Sequence, residues 1–384
     1  LAMLFFFQRC LSPADGVLSK NRLGWFLATL ALVYTDYYGW WIVLAQNLVV
    51  MIERKFLKKR KDSFWFWWQI FLIVAYLPWL PMFFKQLATG RQAMVTLPGW
   101  GRLVNLSFLK SLPLTFVKFS LGRISVFNKR LYWLVAGGVF LVYSWIISKV
   151  LFPNSPLRRT PTRSLRGYFG RFFKILITNP SQLTALCWFL IPILGSWLVS
   201  LWVPNYQPFR LLSALPAFYL LLALGVAETK NLRLKIGELL LVVVISLASL
   251  GVYFSDPYFQ REDWRGVVKF LENRPQAVAI LPSQTSAWPW RYYSGGKAEL
   301  VTPSSGVRKV SEEDFQDLEM SNLSLGNSDW YYIRYLVPLF DPEEKIEAWF
   351  GANSFVKIKE HHFNQIPVWE FRKEGEGLKK DLGK

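Results

Sequence analysis

Arg210 opens an apolar run, 210–227, directly after the short polar turn 205–208 and close to Tyr206. A guanidinium at the end of such a run either snorkels to the interface or meets an anion. Its planar fork of donors suits phosphate oxygens. Asp36 is the second residue of this kind. It interrupts the apolar run 23–52 within Tyr34-Thr35-Asp36-Tyr37-Tyr38-Gly39, where a carboxylate is expensive unless it faces water or a polar cavity. Two roles compete for it: a general base that activates a hydroxyl, or a hydrogen-bonding group at a corner. Arg210, Tyr206, Tyr34 and Tyr37 form the candidate substrate-binding set, and Asp36 is the candidate catalytic residue that this reading takes from the apolar runs. Elsewhere the chemistry is sparse. His361 and His362 are the only histidines, and neighbours on a strand face opposite ways, so surface positions in a hairpin turn are expected rather than a metal pair. Glu262 and Asp263 precede an amphipathic stretch and are expected as acids at a helix N-terminus. Cys10 and Cys187 allow neither a disulfide framework nor a CxxC site. P-loop, GxSxG and HExxH motifs are absent.

The elements that must hold these residues are membrane spans. Apolar residues make up 52% of the 384, with 19 Trp, 31 Phe and 16 Tyr, and mean hydropathy is +0.22. That aromatic load suits lipid-facing helices with interfacial belts. The net charge of +19 would suggest nucleic acid in a soluble protein. Here the excess lies in short loops between apolar runs, so it reads as topology signal and lipid-headgroup contact, with no nucleic-acid partner. The runs fall at 1–11, 23–52, 64–83, 131–152, 183–203, 206–227 and 234–254. The opening LAMLFFF reads as the last turns of a helix begun upstream, so the chain is expected to be an N-terminally truncated piece. The run 23–52 is expected as two short helices meeting at the 34–39 corner.

Loop charge orients the spans. Residues 53–63 carry six Lys/Arg and two acids, 153–182 carry six and none, and 228–235 carry three. These loops share one side if each intervening run is one crossing, and the positive-inside rule makes that side cytoplasmic. The 34–39 corner, the loop 84–130, the 205–208 turn and everything after 254 then lie outside, in an inner or plasma membrane setting. Loop 84–130 carries eight Lys/Arg and no acids. Its stretch 103–122 is expected to lie amphipathically on the membrane surface.

Composition changes after Phe254. Residues 255–373 alternate helical and strand patterns, which predicts a small α/β domain: a helix with Trp264, Val267, Val268 and Leu271 on one face, a short helix at 288–293, strands near 277–281, 299–301, 330–335, 355–359 and 367–371, and a helix 342–351 entered from Asp341. The tail 374–384 is charged and expected to be disordered. The fold expected is therefore a polytopic α-helical membrane protein: residues 1–254 in the membrane, with its first helix incomplete, then an extracytoplasmic α/β domain at 255–373.

Four segments, in order along most of the chain, resemble the bacterial GT-C glycosyltransferases of the dolichyl-phosphate-mannose protein mannosyltransferase type. They are LVYTDYYG at 32–39, similar to that family's YTHYY corner; YLPWLP at 76–81; FRLLSALPAFY at 209–219; and QREDWRGVV at 260–268. The resemblance implies a cell-envelope enzyme that moves a sugar, with inversion, from a polyprenyl-phosphate donor to a protein or glycan acceptor on the outer face. It implies that the main acidic catalytic residues lie in a first external loop upstream of this sequence, so that this piece alone is inactive. Asp36 stands where the family often has His. No cofactor is assigned; a divalent metal in the full-length enzyme is compatible with the resemblance. The competing readings are a polytopic transporter or flippase of lipid-linked sugars, and a receptor with an external α/β domain.

Overall fold

A computed structural model of the chain describes residues 7, 20–57, 64–97, 99–101, 105–125, 128–151, 179–274, 277–320 and 329–374. The opening run apart from Phe7, most of the 153–182 loop and the tail from 375 lie outside these residues. The chain forms two compact units, Leu1–Phe84 with Val104–Val252, and Lys85–Leu103 with Tyr253–Lys384.

The first unit is a helical bundle. Its helices are α1 (Lys20–Thr35), α2 (Gly39–Ile52), α3 (Phe64–Tyr76), the start of α4 (Leu80–Thr96), α5 (Phe108–Ser120), α6 (Lys129–Leu151), α7 (Pro180–Val199), α8 (Leu215–Ala227) and α9 (Leu232–Ser255). Among the described residues, five helical stretches are long and apolar enough to cross a membrane: Trp65–Thr96, Lys129–Leu151, Pro180–Val199, Pro208–Ala227 and Leu232–Ser255. Along α9, Leu239, Leu240, Val244, Leu247 and Leu250 are all exposed. A continuous apolar face of that length is stable in lipid and not in water. The bundle is that of a helical membrane protein. As expected, the 23–52 run breaks at the 34–39 corner. Helix α1 has 16 residues, and α2 runs on from Ile52 into a π-helical turn, Glu53–Leu57.

Contacts fix which ends meet. Tyr38 of the corner donates its hydroxyl to the Asn205 carbonyl at 3.1 Å, so the corner and the 205–208 turn share one end of the bundle. At the other end Lys149 reaches Thr229 at 2.9 Å, and Gln182 donates to Glu228 at 3.3 Å. The borders of the basic loops 153–182 and 228–235 thus meet, as their charge pattern predicts.

One expectation about 84–130 needs correction. The run 64–83 does not stop at 83: it continues through a 3-10 turn, Leu77–Trp79, into α4, and Trp65–Thr96 has 32 residues. That is about 48 Å of helix, well beyond a bilayer core of about 30 Å. Helix α5 turns Ser111, Thr115 and Ser120 into the protein together with Val117 and Phe119, and leaves Leu109 and Lys110 exposed. The hydroxyls are satisfied inside: Ser111 donates to the Ser107 carbonyl at 2.9 Å, and Thr115 pairs with the Tyr206 hydroxyl at 2.8 Å.

The second unit is the expected α/β fold. Its strands are β1 (Val278–Ile280), β2 (Glu299–Val301), β3 (Trp330–Ile333), β4 (Phe355–Phe363) and β5 (Ile366–Lys373), in the order β2-β1-β3-β5-β4. The first three are parallel, and β4–β5 is an antiparallel hairpin joined to β3. Helices α10 (Trp264–Glu272) and α11 (Trp288–Tyr293) are followed by α12 (Glu313–Met320), α13 (Val337–Phe340) and α14 (Lys345–Ala352). Side-chain alternation sorts the core into two layers. Ala279, Tyr331, Ile333 and Val368 pack with α10 and Trp290, whereas Val278, Ile280, Trp330, Tyr332 and Phe371 pack with Trp349 and Phe350. Every residue of β3 is buried, as a central strand covered on both faces requires. The expected helix at 342–351 begins later, at Lys345, because Asp341 caps it from outside: its carboxylate accepts the Lys345 N–H at 2.8 Å and the Ile346 N–H at 3.1 Å. Residues 85–103, expected in the membrane half, belong to this unit, with Ala93 and Leu97 packed on Leu339 and Phe340.

Candidate functional site

The corner between α1 and α2 is held by short-range hydrogen bonds. Asp36 N–H closes the last turn of α1 on the Leu32 carbonyl at 2.9 Å, and Gly39 N–H bonds the Asp36 carbonyl at 2.9 Å. The Asp36 carboxylate accepts the Tyr38 N–H at 2.9 Å, an Asx-type turn. Gly39 is required sterically: a Cβ there would stand 2.9 Å from Leu32 Cγ and 3.2 Å from its carbonyl oxygen. The turn leaves Asp36 half-buried. Among the described residues, its second carboxylate oxygen has no hydrogen-bond or ion-pair partner.

Arg210 is brought to the same place by a different device. Pro208, which has no N–H to satisfy, begins a 3-10 segment, Pro208–Ala214, and Arg210 N–H bonds the Gln207 carbonyl at 3.0 Å. Its guanidinium donates to the Asn205 carbonyl at 3.0 Å. Tyr38 also bonds the Asn205 side chain, at 3.0 Å, and its phenol feels the charge of both Arg210 and Asp36. Two candidates far apart in sequence therefore flank one tyrosine. Neither Tyr38 nor Asn205 carries a charge that marks it in the sequence. The signal available was a polar residue in a proline-bounded turn, PNYQP.

The other candidate residues take different places. Tyr206 is fully buried: its hydroxyl meets Thr115, its N–H bonds Asn105 at 2.8 Å, and its carbonyl takes the Leu106 N–H at 3.0 Å. It braces the turn and offers no open face to a ligand. Tyr34 donates to the Ala75 carbonyl at 2.6 Å and packs on Tyr76 and Trp79, tying α1 to α3. Tyr37 differs. With Trp40, Trp41, Leu44, Tyr76 and Phe83 it lines an apolar groove of about 590 Å³ between α2 and the α3–α4 helix. The groove therefore opens next to the corner that holds Asp36.

Glu238 also lies within an apolar run, 234–254. It is 3% exposed, and Lys149 Nζ stands 2.5 Å from its Oε1. Thr229 donates to its other oxygen at 2.9 Å, and Lys149 lies 3.7 Å over the Trp145 ring. This ion pair belongs to the basic-loop end, opposite the corner. In the α/β unit, Asp263 caps α10 through the Gly266 N–H at 2.8 Å, the helix N-terminal role expected. His361 and His362 lie on strand β4 rather than in its turn. His361 is largely covered, paired with Glu370 at 2.9 Å and set against Phe270, while His362 is exposed. Among the described residues, no three His, Cys, Asp or Glu side chains converge as a metal site. No family model, no curated protein and no solved structure matches the chain.

Proposed function

We propose that this chain is part of a membrane glycosyltransferase that takes its sugar from a polyprenyl-phosphate donor. The observation that carries the reading is the corner itself. A cation suited to phosphate and a carboxylate with an open oxygen bear on one tyrosine, beside an aromatic groove fit for an isoprenoid tail. In this reading Arg210 holds the donor phosphate and stabilises the charge that grows on it as the sugar leaves. Asp36 takes the proton of the acceptor hydroxyl. Tyr38 and Asn205 keep the two in register, and Tyr37 lines the start of the lipid path. The order of the four family-like segments supports the same class. The second reading, a flippase for lipid-linked sugars, would use the same phosphate grip without breaking a bond.

The test is donor binding by this chain, and sugar transfer by the full-length enzyme that contains it, in nanodiscs with a polyprenyl-phosphate sugar. Charge-assisted hydrogen bonds are each worth about 1.5–3 kcal/mol, so Arg210→Ala should weaken donor binding by about 10- to 100-fold. Arg210→Lys should restore only part, since the fork is lost. Asp36→Asn keeps the acceptor of the Tyr38 N–H, so it should preserve binding while abolishing transfer. Unchanged binding in folded Arg210→Ala leaves that residue an interfacial anchor. Donor movement across the bilayer without bond cleavage selects the flippase.

A further inference from the structure

The α/β unit carries exposed aromatic residues that its core does not use. On α11, Trp288 is 69% exposed and Tyr292 80% exposed. They are four apart, so with Arg291 they share one helix face. The ring of Tyr293 stands edge-on to Tyr292 at 4.9 Å, and Arg291 lies 5.5 Å from the Trp288 ring. The turn that follows is held by Glu272 at the end of α10, which accepts the Gly295 N–H at 2.6 Å and the Ser294 hydroxyl at 3.1 Å.

Strand register shows at which end of the unit this face begins. The chain enters the unit from α9 through residues 256–261. That entry segment is bound by the tip of the β4–β5 hairpin: Gln365 donates to the carbonyls of Tyr258 at 3.0 Å and Gln260 at 3.2 Å, and Asn364 to that of Arg261 at 3.1 Å. Ile366 starts β5 at that tip, and Val368 pairs with Ile333, the last residue of β3. Since β1 and β2 run parallel to β3, the carboxyl ends of all three lie at the entry end. The segment leading out of β1 reaches Trp288 from there. Glu299, the first residue of β2, marks the opposite end. Tyr258 of the entry segment and Phe254 at the end of α9 are exposed aromatic residues as well.

We propose that the Trp288–Arg291–Tyr292 face of α11 is a membrane-interface anchor that seats the α/β unit on anionic lipid headgroups. Trp and Tyr settle at the headgroup level, with an apolar ring and a polar edge. Arg291 supplies positive charge that draws a segment to anionic lipid. The entry segment joins the unit directly to a helix of membrane-spanning length, so the bilayer is tethered at high effective concentration and weak contacts suffice. This inference does not depend on the sugar-transfer reading.

The experiment uses the full chain in proteoliposomes in a Cys10→Ser background, where Cys187 is buried and escapes labelling. An environment-sensitive fluorophore is attached after Tyr292→Cys and, as a control, after Glu299→Cys. Both positions are exposed, so the fold tolerates the labels. Headgroup-region spin-labelled lipid should quench the label at 292 several-fold more than that at 299. Adding Arg291→Glu, or replacing anionic by zwitterionic lipid, should reduce the difference. Equal quenching at the two positions overturns the proposal. So does a label at 292 that is reached by aqueous iodide but not by lipid quencher and is shielded on adding a soluble oligosaccharide, which would make the face a sugar-stacking platform.

Discussion

Replacing Lys149 by Met should loosen the bundle at its basic-loop end, and the geometry sets the size of the effect. The pair joins a 3% exposed Glu238 to a 16% exposed Lys149. Thr229 donates to the same carboxylate, and Trp145 lies against the ammonium. Removing one partner of a buried pair costs about 3–5 kcal/mol, because the other charge is left uncompensated; loss of the ring contact adds about 0.5–1 kcal/mol. Glu238 is also the one buried side chain of α9, so the loss should appear as detachment of that helix and not merely as a lower midpoint. Double substitution, Lys149→Met with Glu238→Leu, should recover most of the stability, since well-packed apolar pairs often match buried ion pairs. Equilibrium unfolding in mixed micelles gives the free energies, and disulfide trapping between cysteines placed on α6 and α9 reads the attachment. A single variant costing under about 1 kcal/mol, the range of an exposed pair, would refute the buried-latch reasoning. So would a double variant as unstable as the single one.

Three further outcomes follow from particular contacts. Gly225→Ala should destabilise the α6–α8 crossing by about 1–3 kcal/mol, because a Cβ would collide with the Ile146 backbone; the same unfolding assay checks it. Tyr38→Phe should remove both Asn205 contacts and raise the protease sensitivity of the 205–208 turn, without unfolding the bundle. In the α/β unit, burial alone would raise the Asp314 carboxyl, but hydrogen bonds from Arg308 and Ser311 outweigh it and hold it below its usual range. A depressed carboxylate stabilises the fold above its unfolded value of about 3.9 and loses that contribution as pH falls through its folded value. Asp314→Asn should therefore flatten the acid limb below about pH 4 in thermal melts. The comparison cancels Asp341, which burial pushes the other way.

Local pattern made much of this protein legible. Long apolar runs need no partner to be recognised, because the bilayer that solvates them sets their length. The break at 34–39 follows from a carboxylate and a glycine in one apolar stretch, and Asp263 marks a helix start by a cap that acts over three residues. The strands of the α/β unit, β2 among them, follow from short β-branched or aromatic runs between turn residues. Even the meeting of the basic loops at one end was written in their charge.

What the sequence could not give is which polar groups meet. Lys149 and Glu238 are 89 positions apart, and Tyr38 and Asn205 are 167 apart. A window of hydropathy averages such residues into the apolar background, and Glu238 disappeared there for that reason. The inward direction of the α5 hydroxyls is invisible for a related cause: it depends on Tyr206, from a distant turn, offering Thr115 a partner. Tyr206 itself reads as a site residue from its place beside Arg210, yet packing turns it inward. Backbone propensity and lipid solvation are local and survive in a one-dimensional reading. The pairing of buried polar groups is imposed by the need to satisfy each of them away from water, and only the folded bundle decides which neighbour does so.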